Sequence, residues 1–321
     1  MMPVNPAAED EDSARPATGT TRTSNMRLSI GPIQYFWPRE RVEKFYEGLA
    51  KHSPLVIYLG ETVCSKRREL DRDAWIALAR MLADHGHEVI VSTLSLIEAG
   101  SELGACRRTV ENGEFTIEAN DMSAVQFLLE RKLPFVAGPG INLYNHLAID
   151  YLRRNGMFRL SLPVELGRKH LEAVREHARE AGMQLPEIEI HAWGRLPLAW
   201  SARCFTARAV GRGKDQCRFE CIHHPEGQHV STREGEDFLN LNGVQVQSAA
   251  VQDLSARADE LAAAGVDILR LYPQAEGLDT VIQRFESALA GHPIQAAEGS
   301  VDGYWLGAVG MEAGLRPSTL P

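Results

Sequence analysis

Four of the five cysteines in this chain of 321 residues have the spacing and surroundings of metal ligands. Cys64 lies far upstream, whereas Cys204, Cys217 and Cys221 are close together in the pattern Cys-x12-Cys-x3-Cys. All four occur in sequence rich in glycine, arginine and lysine, where the usual packing role of a free cysteine is hard to justify. Four thiolates can complete either a tetrahedral zinc site or a cubane iron-sulfur cluster. The sequence therefore predicts a metal site at Cys64, Cys204, Cys217 and Cys221.

The spacing of the cysteines leaves the choice between zinc and an iron-sulfur cluster open. Cys217, Cys221 and His223, with His224 adjacent, could supply mixed sulfur and nitrogen ligands to a structural zinc ion. Common zinc knuckles use two-residue spacing between cysteines, and neither cysteine pair here has it, so spacing slightly favours iron-sulfur. Both histidines precede Pro225 in a polar turn, where exposed side chains without a ligand role are the simpler interpretation.

The fifth cysteine, Cys106, has a different setting. It continues an apolar stripe formed by Leu96, Ala99, Leu103 and Val110 on a predicted helix. We therefore expect Cys106 to pack in the core and to have no part in the metal site.

Short apolar runs alternate with stretches of helical period along most of the chain. Such alternation implies parallel strands, and eight strand candidates favour an α/β fold of the (β/α)8 barrel type over an open doubly wound sheet. The strand candidates are Leu28-Ile30, Leu55-Leu59, Val89-Ser92, Phe115-Glu118, Phe135-Ala137, Leu160-Leu162, Ile188-His191 and Ile268-Leu271. The helical stretches are Val42-His52, Asp73-Asp84, Leu94-Val110, Met122-Glu130, Leu143-Arg154, Gly167-Ala181, Leu254-Ala264 and Leu278-Ala290.

The predicted barrel gives the cysteines a common location. Barrel enzymes carry their functional groups on loops at the carboxyl ends of strands. Cys64 lies five residues beyond Leu59, where one strand candidate ends, and Cys204 follows the candidate that ends near His191. We therefore expect both loops to open on the same face of the barrel.

The chain divides into three predicted regions. Residues 1–26 are rich in Ala, Pro, Thr, Ser and acidic side chains without a periodic apolar pattern, which predicts a disordered N-terminal extension. Residues 27–296 form the barrel-like domain, with a cysteine-bearing insertion at about 192–253 late in the barrel. The second half of that insertion, 238–247, is typical of a hairpin or irregular strand pair. Residues 297–321 are a C-terminal tail.

Composition limits the possible partners and locations. The chain is 44% hydrophobic and 24% charged, as an ordinary globular protein is, and its formal net charge of -9 makes nucleic acid an unfavourable partner. No run approaches the length of a membrane span, and the N-terminus lacks the pattern of a secretory signal. The sequence thus predicts a cytoplasmic protein without a transmembrane segment, in which the cysteines are free or metal-bound rather than disulfide-bonded.

The segment that carries three of the cysteines resembles the signature segment of the collagenase-like peptidase family. It reads IHAWGRLPLAWSARCFTARAVGRGKDQCRFEC, from Ile190 to Cys221. Four further segments are similar to the branch of that family that acts in ubiquinone biosynthesis, and together the matches extend over nearly all of the chain from Met26 to about Met311. They are LSIGPIQYFWPRE, YLGETVCSKRRE around Cys64, FLNLNGVQVQS and DGYWLGAVGM.

The resemblance implies a barrel-like fold that binds one [4Fe-4S] cluster through Cys64, Cys204, Cys217 and Cys221. It also implies a heterodimer with a homologous subunit, UbiU, that takes part in oxygen-independent hydroxylation of the prenylated ubiquinone precursor ring. Proteolysis is not expected of this branch, and the sequence contains neither HExxH nor GxSxG. Two alternatives stay open, namely a zinc-stabilised binding scaffold and a relative within the family that modifies tRNA or rRNA.

Basic and aromatic residues of the insertion are candidates for supporting roles. Positive side chains could offset the charge of four thiolates and hydrogen-bond to sulfur, although solvated loop charge explains them equally well. Trp193 and Trp200 could shield the cluster or line a pocket for a prenylated ring, or they could be ordinary packing aromatics. The basic candidates are Arg203, Arg208, Lys214 and Arg218.

Overall fold

The computed structural model of the protein describes residues 25–313. The predicted disordered extension lies outside the described residues except for its last two, and the predicted tail lies outside them from residue 314 onward. The strands are β1 (Arg27–Ile30), β2 (Val56–Leu59), β3 (Glu88–Ser92), β4 (Thr116–Ala119), β5 (Phe135–Ala137), β6 (Met157–Ser161), β7 (Glu187–Trp200), β8 (Gln228–Ser231), β9 (Asp237–Asn242), β10 (Gln245–Asp253) and β11 (Ile268–Leu271). The α-helices are α1 (Arg39–Leu49), α2 (Arg72–Asp84), α3 (Gly100–Val110), α4 (Met122–Arg131), α5 (His146–Arg154), α6 (Arg168–Glu180), α7 (Phe205–Ala209), α8 (Ala258–Ala264), α9 (Leu278–Leu289) and α10 (Gly303–Leu306).

Eight parallel strands close into a barrel, which confirms the predicted (β/α)8 architecture. Strands β1 to β7 pair in sequence order, and β11 closes the barrel by pairing with both β7 and β1. Strands buried on both faces tend to be continuously apolar, and β2, with the sequence VIYL, is buried at every residue. The connecting helices pack on the outside of the barrel in one large core that includes Ile57, Leu82, Leu128 and Phe285.

Side-chain caps set the starts of several barrel helices. Asp71 accepts a hydrogen bond from the backbone N–H of Ala74 at the start of α2, and Asn145 and Asp121 cap α5 and α4 in the same way. The prediction that α3 begins at Leu94 is wrong, because the helix begins at Gly100. The Glu102 carboxylate accepts from the N–H groups of Glu98 and Ala99, which satisfies these donors outside the helix.

The interior of the barrel contains charged residues. Arg270 on β11 forms ion pairs with Glu118 on β4 and with Glu189 on β7, and each of these three side chains is at most 1% exposed. The Tyr58 hydroxyl donates to Glu189 at 2.8 Å and accepts from Arg159 at 3.2 Å. Buried charges are stable only when they are paired and hydrogen-bonded, and this network meets both conditions.

Strand β7 continues beyond the barrel, so the prediction that it ends near His191 was too short. Its first part pairs with β6 and β11, and its outer part, to Trp200, pairs antiparallel with β10. Gly194 and Pro197 interrupt the apolar pattern of this strand and hide its length in the sequence. The predicted hairpin is confirmed, since β9 and β10 pair on either side of a turn at Gly243, and β8 adds a third antiparallel strand.

The last described segment lies against this antiparallel extension. Val301 forms a parallel bridge with Gln252 of β10, and Asp302 forms an ion pair with Arg257. Among the residues that the structure describes, no helix has the length and apolar character needed to cross a membrane.

Candidate metal centre

The four predicted ligands lie together. Cys64, Cys204, Cys217 and Cys221 all line one narrow cavity between the loop after β2 and the segment after β7. Cys204 is buried and the other three are half-buried. The loops therefore open on the same face of the barrel, as the positions of Cys64 and Cys204 after their strands predicted.

Backbone hydrogen bonds hold the first two cysteines in place. The Glu61 carboxylate accepts from the N–H groups of Val63 and Cys64 at 2.8 and 2.9 Å, which fixes the turn that carries the Cys64 thiol. Cys204 is the N-cap of α7, and its sulfur accepts from the N–H of Ala207 at 3.4 Å. Cys64 and Cys204 are thus both held in place by hydrogen bonds that involve the backbone.

A strained turn brings the other two cysteines to the same cavity. Cys217 ends a short 3-10 helix, and Cys221 lies in the next one. Between them Arg218 and Phe219 both adopt left-handed backbone conformations, with φ of 49° and 57°. Non-glycine residues in this region cost of order 1–3 kcal/mol each, and such strain concentrates at functional sites. Through this turn Cys217 and Cys221 line the same cavity as Cys64 and Cys204.

A buried arginine that sequence reasoning did not select lies beside these thiols. Arg67 lines the cavity, and its side chain is 1% exposed. Its guanidinium donates to the Gln34 carbonyl at 2.7 Å and to the Asn242 side chain at 2.8 Å, and it lies 3.9 Å from the Glu61 carboxylate. Gly243 leaves room for it, because a Cβ there would lie 2.9 Å from an Arg67 nitrogen. The only signal in the sequence is a basic run shortly after Cys64, and that run also contains the exposed Arg68.

The charge of Arg67 opposes the effect of burial on the thiols. Burial raises the pKa of Cys64 and of Cys221, and the nearby Arg67 guanidinium acts to lower both. The interaction of the Arg67 guanidinium with the Cys221 thiol is the main influence that opposes burial there. Burial acts to lower the pKa of Arg67 itself, but Glu61, Cys221 and Cys64 outweigh it and raise that pKa. Arg67 is therefore a fixed positive charge that favours thiolates in this cavity.

The other predicted supporting residues divide into two groups. Lys214 lines the cavity and pairs with Glu98, whereas three of the basic candidates are exposed and do not line it. Those three are Arg203, Arg208 and Arg218. Trp200 packs against the buried cluster that contains Cys204, but Trp193 lines a different and larger cavity. Cys106 is 6% exposed within the main core, as predicted, although its stripe neighbour Leu103 is 39% exposed.

The four cysteines are not arranged as ligands around a single metal ion. In the described part of the chain, no three His, Cys, Asp or Glu side chains form a group that could hold a metal ion. His223 is exposed and His224 contacts Gln228 at 3.0 Å, and neither lines the cysteine cavity. The mixed cysteine and histidine zinc site considered from the sequence is therefore not formed.

Comparison with known families gives a match over most of the chain. The sequence model of the family described as Peptidase family U32 matches residues 39–289. The matched range contains all four cavity cysteines, Arg67 and every barrel strand except β1.

Proposed function

Since the chain belongs to peptidase family U32, we propose that it is an iron-sulfur protein whose Cys64, Cys204, Cys217 and Cys221 hold one [4Fe-4S] cluster. The observation that carries the proposal is that four cysteines from two distant chain segments line one cavity beside a buried arginine. Four thiolates supply every protein ligand of a cubane, one to each iron. Thiolates bound to four different iron atoms are farther apart than thiolates around one ion, so the lack of a single-ion group among the described residues is compatible with this assignment.

The protein residues around the thiols suit a negatively charged cluster. Arg67 and Lys214 supply positive charge at the cavity wall, and hydrogen bonds to sulfur tune cluster potentials. Trp200 and Phe219 place aromatic surface beside the cysteines, which limits the access of water. When bound, the cluster would supply an electron or oxygen-transfer function that amino-acid side chains lack.

The reaction that we infer is oxygen-independent hydroxylation of the prenylated ubiquinone precursor ring, with this chain as one subunit of the hydroxylase. The support is the similarity of five chain segments to the ubiquinone biosynthesis protein UbiV, a member of the family, which acts as a heterodimer with UbiU. A site of four thiols is consistent with a redox role. The sequence contains neither of the peptidase motifs HExxH and GxSxG. With a formal net charge of -9, no observation favours the alternative of a nucleic-acid-modifying enzyme.

Anaerobic metal and sulfide analysis tests the cluster assignment. Protein purified without oxygen should contain close to four iron and four sulfide per chain, because four thiolates complete one cubane. Replacement of any one of the four cysteines by Ala should remove most of the iron. Cys106→Ala is the matched control and should retain it. Stoichiometric zinc without sulfide would refute the proposal, and equal iron loss in Cys106→Ala would show that the ligand set is wrong.

A further inference from the structure

A second well-formed cavity lies away from the cysteines. It has a volume of about 720 Å³ and is enclosed by the outer part of β7, the β9–β10 hairpin and the chain segment after residue 296. Ligand pockets for small molecules commonly have volumes of about 300–1,000 Å³. This cavity therefore has the size of a site for one small molecule.

The walls of this cavity are mainly apolar. Leu198 and Phe238 are 39% and 46% exposed, and Val309 and Met311, from the segment after residue 296, are each 61% exposed. Large apolar side chains that face solvent around one concavity mark a binding surface more than isolated ones do. An apolar ligand body in the cavity would remove these side chains from water and stabilise the complex through the hydrophobic effect.

Several polar side chains line the cavity, including the carboxylates of Asp237 and Glu298, and Arg195 is the arginine among them. Arg195 donates to the Ser248 carbonyl at 3.3 Å and contacts the His229 ring at 3.0 Å. Its Nε is buried without a hydrogen-bond partner, and within the described residues no carboxylate forms an ion pair with its guanidinium. An arginine in such a setting favours an oxygen that is anionic or accepts strong hydrogen bonds.

We propose that this cavity binds a small amphiphilic molecule whose apolar body lies against Leu198, Phe238 and Val309 and whose phenolic oxygen accepts a hydrogen bond from Arg195. The identification of that molecule as the prenylated ring rests on the proposed function, because a prenylated phenol belongs to this chemical class. Strand β7 forms part of the cavity wall and then ends at Trp200, which packs against the buried cluster that contains Cys204. The same strand thus connects the cavity to the proposed cluster site.

Binding of two matched probes to the full-length protein tests the site. 4-Hexylphenol carries the oxygen and hexylbenzene lacks it, so their difference isolates the contact to Arg195. Calorimetry should show one 4-hexylphenol per chain with a Kd on the order of tens of micromolar, and competition should show weaker hexylbenzene binding. Arg195→Met should weaken the phenol about five- to ten-fold and leave hexylbenzene unchanged.

Variants that change the apolar wall separate this site from general surface binding. Ala250→Trp should fill the cavity and weaken both probes about ten-fold or more, and the milder Phe238→Ala should weaken both without loss of folding. Leu147→Trp on the exposed face of α5 is the control and should bind both probes as the native chain does. Absence of saturable binding, or unchanged binding in Ala250→Trp and Phe238→Ala, would overturn the proposal.

Two further outcomes have distinct meanings. A chain that ends at Ala313 should bind the probes within about two-fold of the full chain, and a ten-fold gain would show that residues 314–321 compete for the cavity and would overturn the proposal. Iron and sulfide content is measured on the same samples. Full iron without probe binding would refute this site alone, whereas probe binding without iron would refute the cluster alone.

Discussion

Arg67 and Arg68 are neighbours in the sequence but have opposite environments. The Arg67 side chain is 1% exposed and lies against the thiols, whereas Arg68 is exposed and contacts the Ser65 carbonyl. A buried guanidinium beside several thiolates stabilises them and fixes their position through its hydrogen bonds. This pair of residues therefore offers a matched test of whether charge at the cavity matters.

Arg67→Met should lower the iron retained after anaerobic gel filtration several-fold, because four thiolates would then lack their buried positive charge. The midpoint potential of any remaining cluster should become more negative, since a cation favours the more negatively charged reduced state. Arg67→Lys should be intermediate in both measurements because it keeps the charge and loses the guanidinium geometry. Arg68→Met is the control. Equal iron retention in all three variants, measured where each is folded, would contradict the role of Arg67.

His191 is a second residue with an unusual environment. It is 2% exposed and stacks on Tyr272 with ring centroids 4.6 Å apart, and neither ring nitrogen has a well-formed hydrogen bond, although the Gly194 backbone is nearby. Burial lowers the pKa of His191 to about 3, and the charge of Arg270 adds to the effect. The ring is therefore neutral in the folded protein at pH values where the unfolded chain is protonated.

The stability of the protein should fall as the pH is lowered below about 6.5, because the unfolded chain then gains a proton that folded His191 does not accept. This group should contribute a slope of about 1.4 kcal/mol per pH unit between pH 6 and 4. His191→Phe keeps the ring and should remove that contribution in urea unfolding measured at several pH values. His191→Gln should show the same loss of slope, since it does not titrate either. A slope unchanged from the native chain in both variants would contradict a buried neutral histidine.

The sequence predicted the four cysteines that line one cavity, because residue type and loop setting distinguish them from a packed cysteine such as Cys106. It did not identify Arg67 or His191, since their properties depend on burial by segments distant in the chain. Arg67 is enclosed by Gln34 and Asn242, and His191 is covered by Tyr272. The exposed loop arginines that the sequence offered as partners of sulfur had no feature that distinguished them from solvated charge.

At the scale of elements, a buried ion-pair network joins the strands of the barrel. Arg270 of β11 contacts Glu118 across the barrel and Glu189 on the neighbouring strand. Burial acts to raise the pKa of Glu189, but Arg270 together with Arg159 and Ser29 outweighs burial and lowers that pKa, so the carboxylate is charged. Removal of the cation would leave two buried carboxylates that keep only neutral hydrogen-bond donors, such as Tyr58 for Glu189 and Ser92 for Glu118.

Arg270→Met should destabilise the protein by roughly 3–5 kcal/mol, the usual cost of breaking a buried ion pair from one side. Urea unfolding of the native and variant chains at neutral pH measures the difference. Arg80→Met removes an exposed pair with Glu114, at 2.7 Å, and should have a far smaller effect. Equal losses in the free energy of unfolding for Arg270→Met and Arg80→Met would contradict the prediction.

The elements themselves were largely predictable, because short apolar strands and amphipathic helices alternate with clear periods in the sequence. The predicted element boundaries are wrong where a contact with a distant part of the chain, rather than the local sequence, sets the end of the element. Helix α3 begins at Gly100 rather than at Leu94, because the Glu102 carboxylate accepts a hydrogen bond from the Glu98 N–H before the helix. The Ser95 N–H donates instead to the Thr62 carbonyl at 2.9 Å. Strand β7 is long because β10 pairs with it beyond Gly194, and the strand period alone does not reveal that partner.

At the scale of the whole molecule, the barrel and the antiparallel extension have different roles in the function that we propose. The barrel supplies Cys64 on the loop after β2, and the segment from β7 to β10 supplies the other three cysteines together with part of the wall of a cavity for an apolar ligand. A ring bound along β7 and a cluster near the end of that strand would be arranged by one continuous element. Such an arrangement is suited to chemistry that depends on orientation of the substrate.

Deletion of the gene should abolish ubiquinone in cells grown without oxygen and leave it unchanged in cells grown in air. The physical reason is that monooxygenases lack their oxidant without air, so only an oxygen-independent route can hydroxylate the ring. Quinone extraction and chromatography from both cultures measure the outcome. A plasmid copy with Cys217→Ala should fail to restore anaerobic ubiquinone, because three thiolates leave one iron without its protein ligand, whereas a copy with Cys106→Ala should restore it. Normal anaerobic ubiquinone in a deletion strain that has no second copy of the gene would refute the assignment, whatever metal the purified protein contains.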